Sequence, residues 1–412
     1  MSERLKKFLL IIAFIIFACG LGYILYSVFF RPKTTPVEPT TEQPGTIGEL
    51  PSSGTAGERP TSTQGEGTGL PPGTSQPGQQ PTEDLPAATQ RTQLLNAGIS
   101  RDVSATTDGN GARFYDPADA KFYKISSDGA LKALSDQTFP NVDSVVWGNA
   151  SDQAILNFPD GSNVLYNFVT QKQTTLPKHW DGFDFSNNDN QIVAKNESDS
   201  PESRYLIVAS PDGSNAQAIE PLGENSNKTF PAWTPNGDII AYATTGQAKG
   251  FDRQEIILVG KNHENYNGLV VEGRGFEPLW SPSGQIVLYS VWTVANDYKP
   301  ELWVSGGAPG NINQNRQKLS VQTWAFKCAW HGETEVICGV PETMPRGAGL
   351  QPDQFQNTSD RIVRINLQDN TVMDLGKPDG GPTVKDPILS TDGSELIFTD
   401  AVTGKLYKFG LF

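Results

Sequence analysis

"PLWSPSGQIVLYS", residues 278–290, places an aromatic anchor, Trp280, before a Ser-Pro-Ser-Gly turn, and follows the turn with an alternating apolar segment ending in Tyr. Gly supplies the positive φ that a tight reversal needs, and Pro and Ser favour the residues around it. The stretch therefore reads as two short antiparallel strands. It is also repeated. Aligning the chain on the anchor gives seven copies, anchored at Ala105, Trp147, Phe185, Trp233, Trp280, Trp330 and Leu389. The spacings are 42, 38, 48, 47, 50 and 59 residues. Repeats of about 40 to 50 residues are the signature of a β-propeller, in which each repeat forms one four-stranded blade.

Each copy supplies parts in a fixed order. The anchor ends an inner strand A, and strand B follows the turn. Strand C is legible in "KFYKI" (121–125), "RYLIVA" (204–209), "QEIILV" (254–259), "ELWV" (301–304), "RIVRI" (361–365) and "KLYKF" (405–409). Strand D is legible in "ALKAL" (130–134), "KQTTL" (172–176) and "AQAI" (216–219). A single blade is too small to hold a core, so the anchor is expected to pack between neighbouring blades. The last copy stops after strand C, and "RTQLLNAGIS" (91–100) precedes the first anchor. Pairing Thr92 to Leu95 with the final strand would close the ring and remove both open edges. The expected fold is all-β, a seven-bladed propeller over residues 91–412. Six blades are the fallback, because the Ala105 and Phe185 copies are the least regular.

Composition agrees. Gly (41) and Pro (30) are abundant and His (3) is scarce, which suits short strands and turns. Formal net charge is −14, and beyond residue 90 there are 26 Lys and Arg against 38 Asp and Glu. Such a surface repels phosphate backbones, so nucleic acid is excluded as the expected partner.

The chain ahead of the repeats is different material. Residues 8–30, "FLLIIAFIIFACGLGYILYSVFF", carry no charge and follow "SERLKK". As a helix at about 1.5 Å per residue they would span roughly 34 Å, enough for the hydrocarbon core of a bilayer. They are expected to form a transmembrane signal-anchor helix behind a short cytoplasmic segment, 1–7, with the propeller on the extracytoplasmic side of the cell membrane. A cleaved signal peptide and acylation at Cys19 are the alternatives. Residues 31–90 are rich in Pro, Thr, Gly and Ser and hold no aromatic residue after Arg31, so they read as a disordered linker.

"WSPSG" (280–284), "WTPNG" (233–237), "LSTDG" (389–393) and the detached "SPDG" (210–213) resemble the TolB-type propeller repeat, which is related to WD repeats and to the propeller domain of the dipeptidyl peptidase family. The resemblance implies a binding platform or accessory subunit more readily than an enzyme. The hydrolase domain that follows the propeller in the peptidases has no counterpart in residues 91–412.

Templates for chemistry mostly fail. The chain holds no Gly-x-Ser-x-Gly elbow, no His-Glu-x-x-His helix and no phosphate-cradling loop. His179, His263 and His331 fall in loops or turns of different repeats, and no metal or cofactor is expected. Cys328 and Cys338 flank the hairpin of the sixth repeat and face each other across it, as a disulfide or as two packed thiols. The longest connections join strands B and C, at 196–203, 244–253, 292–300 and 341–360, and "PKHWDG" (177–182) and "EGRGFEP" (272–278) read as D-to-A loops on the same face. Aromatic and Arg side chains there are what partner-binding surfaces use. The candidates are Trp180, Arg253, Arg274, Trp292, Tyr298, Arg346 and Phe355. The leading expectation is a protein- or envelope-polymer-binding module. The alternative is a polysaccharide hydrolase or lyase with Asp181, Glu277 and Asp297 facing the central funnel, and a structural spacer is the third reading.

Overall fold

A computed structural model describes residues 91–264, 266–354 and 357–412. Within them the chain forms seven four-stranded antiparallel sheets, each meandering from strand A to strand D. Blades one to six begin with strands A at Arg101–Ala105, Ser144–Trp147, Trp180–Phe185, Thr229–Pro231, Arg274–Trp280 and Cys328–His331. Blade seven is Val384–Leu389, Glu395–Asp400 and Leu406–Gly410, completed by Thr92–Asn96 from the start of the propeller. That strand runs antiparallel to the last one, with Thr92 opposite Phe409 and Leu94 opposite Tyr407. The protein is a seven-bladed β-propeller closed by its own N-terminal strand.

The A-to-B turns explain why the anchor motif recurs. Gly109, Gly237, Gly284, Gly332 and Gly393 all hold φ between 68° and 78°, a region that side chains rarely enter. Blade three has no Gly there and uses Asp189 at φ 57° instead. Trp147, Phe185, Trp280 and Leu389 end their strands A; Trp330 stands one residue before the end, and Trp233 two residues beyond it.

The core is not one mass but seven layers, one per blade interface. Trp147 packs with Tyr115, Phe122 and Phe168 between blades one and two. Phe185 lies between blades two and three, Trp233 between three and four, Trp280 between four and five, Trp330 between five and six, and Leu389 between six and seven. Phe114 and Ile397 close the seventh layer between blades one and seven. Each layer buries apolar surface only because its neighbour is present, at roughly 25 cal/mol per Å2.

Two stretches differ from the sequence reading. "PKHWDG" and "EGRGFEP" are not purely loops, because strands A of blades three and five begin inside them, at Trp180 and Arg274. The register of these strands shifts between Asp181 and Asp184 and between Arg274 and Glu277. Gly182 (φ 64°) and Gly275 (φ 68°) sit in these bulges and let the strands continue. Asp102 and Asp386 take the same backbone conformation in blades one and seven. Residues 1–7, the expected transmembrane helix at 8–30 and the linker at 31–90 lie outside the described residues. Among the described residues no helix is long and apolar enough to cross a membrane.

Candidate functional site

The B-to-C loops of blades four, five and six join into one ridge. The carboxylate of Asp252 accepts from the Val294 N–H at 3.2 Å, which ties loop four to loop five. Loop six then folds over loop five: Gly347 N–H donates to Asp297 O and Gly349 N–H to Tyr298 O, each at 2.8 Å. A side chain at Gly349 would start 2.6 Å from Trp292 Cβ and 2.9 Å from Tyr298 O, so the close approach needs glycine. Beneath it the rings of Trp292 and Tyr298 stack obliquely, 5.7 Å apart. Gln322 Nε2 donates to Asn296 Oδ1 at 3.2 Å and braces the loop from below.

Trp292 and Tyr298 are therefore brought together, but as the seat of loop six rather than as free contact surface. Arg346 stands on that loop, 75% exposed, with Nε 3.7 Å from Asp297. Arg253 and Arg274 are tied down: Arg253 Nη2 lies 2.5 Å from Glu272, which also meets Arg316 at 3.1 Å, and Arg274 donates to Gln254 at 3.2 Å. Trp180 is buried at 7% exposure among Leu176, Phe183 and Phe185, because it opens a strand instead of capping a loop. Phe355 lies outside the described residues. Sequence reasoning missed the apolar residues that the ridge does expose, Phe251 (83%), Val294 (47%) and Leu350 (48%). No periodicity marks such residues; only the folded loops show that no described residue covers them.

Strands A of blades one to four and of blades six, seven and one touch their neighbours, and strands A carry the acidic residues. Glu277 accepts from Ser290 Oγ at 2.9 Å, and Ser290 in turn accepts from Ala325 N at 3.2 Å. Burial holds the Glu277 carboxyl above its ordinary range, and the like charge of Asp353, on loop six, adds to the shift. Tyr242 is pushed up to about 12 by burial and by Glu277. Asp181 is instead 3.6 Å from Lys195, and Asp297 belongs to the ridge, so the three proposed funnel carboxylates do not form one group. Asp184, not singled out from sequence, stands like Glu277 two residues after a bulge glycine. It accepts from Trp233 N at 2.6 Å and Phe185 N at 2.9 Å, and burial raises it to about 6.

Cys328 and Cys338 lie opposite each other in strands A and B of blade six and are joined as a disulfide, Cα to Cα 4.1 Å. His331 Nδ1 meets Glu335 at 2.8 Å and packs at the blade six–seven junction. Among the described residues no group of three or more His, Cys, Asp or Glu side chains is placed to hold a metal ion.

No protein-family profile matches this chain, and neither does any curated protein. Solved structures share its architecture. An oligogalacturonate lyase in complex with manganese is 12% identical, with a TM-score of 0.53 over 78% of this chain and 93% of that one. An oligogalacturonate lyase from Vibrio parahaemolyticus is 13% identical, with a TM-score of 0.53 over 79% and 94%. The Cps50 (Swd1) propeller domain of Myceliophteria thermophila is 11% identical, with a TM-score of 0.52 over 77% and 99%. At such identities the likeness establishes the propeller fold. It reaches a lyase and a WD-type propeller equally, so it assigns no activity.

Proposed function

We propose that this protein is a membrane-anchored, exported propeller that binds another protein or a cell-envelope polymer through the ridge of loops four, five and six. Residues 8–30 serve as anchor, residues 31–90 as spacer, and the propeller works on the extracytoplasmic side. The observation that carries the reading is the exposure of Phe251, Val294 and Leu350, beside Arg346 and Asp297, on three loops fixed to one another by hydrogen bonds. Apolar side chains held on a pre-ordered frame and rimmed by charge are the composition of a partner-binding patch, and a fixed frame lowers the ordering cost of binding. The resemblance of the repeat turns to the TolB-type motif favours the same reading. The test is a pull-down from envelope material with the full chain against a variant whose residues 344–354 are replaced by a short Gly-Ser turn. Equal recovery by the two proteins would refute the ridge as the binding surface.

A polysaccharide hydrolase or lyase is the second reading, favoured by one observation: Glu277 is held protonation-prone by burial, with Asp353 as its acidic neighbour. Glu277→Gln separates the two readings. It would abolish turnover of envelope polysaccharide if the enzyme reading holds, and it would leave partner capture unchanged if the ridge reading holds.

A further inference from the structure

The A-to-B turns, on the face opposite the ridge, are stitched to one another around most of the ring. Between blades two and three, Asp189 accepts from Asn149 N, Ala150 N and Ser151 Oγ at 2.6, 3.0 and 2.6 Å. Between five and six, Glu333 accepts from Ser283 N and Oγ at 2.7 Å each. Asn236 reaches Gly284 O at 3.4 Å between four and five, and Thr391 reaches Gly109 O at 3.0 Å between seven and one. Between blades three and four, no hydrogen bond joins the two A-to-B turns among the described residues. A cleft of about 300 Å3 opens there instead, between Asn187, Asn188 and Gln191 on one side and Trp233 and Asn236 on the other, with Lys261 reaching in from the C-to-D turn.

Among the side-chain polar atoms of this cleft, those left over are mostly donors. Lys261 Nζ gives one hydrogen bond, to Gln191 Oε1 at 3.1 Å, and forms no salt bridge among the described residues. Asn188 Oδ1 is occupied by Asn190 N and Ser186 Oγ, and Asn236 Oδ1 by Asp238 N and Thr234 Oγ1. Gln191 Nε2, Asn188 Nδ2, Trp233 Nε1 and the whole Asn187 side-chain amide make no hydrogen bond among the described residues, and of these groups only Asn187 Oδ1 is an acceptor. No carboxylate lines the cleft. Asp184 and Asp189, which flank it in sequence, are committed to Trp233 N and to the turn of blade two. In a chain of net charge −14, this is a lysine-bearing, donor-rich cleft with one half-buried indole in its wall.

We propose that this cleft binds a sugar unit bearing a carboxylate, with the apolar face of the ring against Trp233, its hydroxyls on the side-chain amides and its carboxylate toward Lys261. The aromatic surface accounts for a ring with an apolar face, the donor surplus for an acceptor-rich ligand, and the lysine without an acidic partner for the charge. The volume suits one or two sugar residues, at the small end of ligand clefts.

The test is calorimetric titration of the full-length chain, in detergent, with a hexuronate tetramer and with a glucose tetramer of equal length. The tetramer of hexuronate is expected to bind, at least tenfold more tightly than the uncharged one, and more weakly as salt rises. Lys261→Gln is expected to remove that tenfold preference and the salt dependence while leaving the melting temperature unchanged. Trp233→Phe, which keeps the packing but loses the indole N–H, is expected to weaken binding of both tetramers, and Lys172→Gln, exposed on strand D of blade two and outside both the cleft and the ridge, to change neither. Failure of the hexuronate to bind, equal affinity for the two tetramers, or full affinity in Lys261→Gln would each overturn the assignment.

Discussion

Lys327 Nζ and Asp360 Oδ2 meet at 2.7 Å with neither side chain exposed to solvent. Asp360 Oδ2 also accepts from Val384 N at 2.6 Å, so the carboxylate joins blades six and seven. Burial pulls the lysine below its ordinary value and the aspartate above its own, and each partner opposes the other's shift. Removing one partner leaves a buried, uncompensated charge. Lys327→Met is predicted to cost about 3 to 5 kcal/mol by urea denaturation. The double variant Lys327→Met/Asp360→Asn, which keeps an acceptor for Val384 N, is predicted to recover most of that loss. Additive losses in the double variant would contradict the coupling.

The disulfide of blade six closes a loop of sequence separation 10. Chain-entropy bookkeeping assigns so short a loop about 2 to 3 kcal/mol. Cys328→Ala/Cys338→Ala is predicted to lose that much stability. Mass spectrometry of the purified protein is predicted to show both cysteines protected from alkylation until a reductant is added under denaturing conditions.

Ring closure rests on the first described residues. Arg91 donates to Leu375 O at 2.7 Å and to Gly410 O at 2.9 Å, and its guanidinium lies 4.7 Å from the centre of the Phe409 ring. Arg91→Ala is predicted to cost about 1 to 3 kcal/mol. Deleting residues 91–96 exposes the outer edge of Leu406–Gly410 and is predicted to produce aggregation on size-exclusion chromatography. A monomeric, equally stable deletion variant would show that closure contributes nothing.

Asp184 gives the fold a pH dependence with a definite sign. Its carboxyl titrates near 6 in the folded chain against an ordinary value of 3.8. Between those values the folded state holds a proton that the unfolded chain has lost, so this residue's contribution to stability falls as pH rises and levels off above 6. The full difference is at most about 3 kcal/mol. Asp184→Asn cannot ionise. Its stability relative to the unmodified chain is therefore predicted to improve by about that amount between pH 4 and pH 7, measured by paired denaturation curves.

The propeller was legible because its turns are built from residues that few other structures require. Gly237, Gly284 and Gly393 sit where only a left-handed backbone fits, and the same demand recurs in six of the seven blades, all but blade two. Blade three was one of the two least regular copies, and there Asp189 does the work of that glycine. Strands D of blades four and five, Leu269–Val271 and Gln317–Lys318, are too short to carry a pattern. The candidate site was legible only as loop length. That loop six would cover Trp292 and Tyr298, leaving Phe251, Val294 and Leu350 outside, depends on hydrogen bonds between loops about 50 residues apart, which leave no mark in local sequence. Trp180 was misplaced for a related reason, since a bulge at Gly182 extends the strand through what reads as a loop.

The measurement that bears most directly on the proposed function is photocrosslinking in intact cells. A photoreactive residue would be placed at Arg346 on the ridge and, separately, at Asp392 in a turn of the opposite face, both exposed. A discrete adduct to one protein or envelope polymer from position 346, absent from position 392 and lost when Phe251 and Leu350 are replaced by Ser, is the predicted result. No adduct at 346, or the same adduct from both faces, would contradict the assignment of partner binding to the ridge.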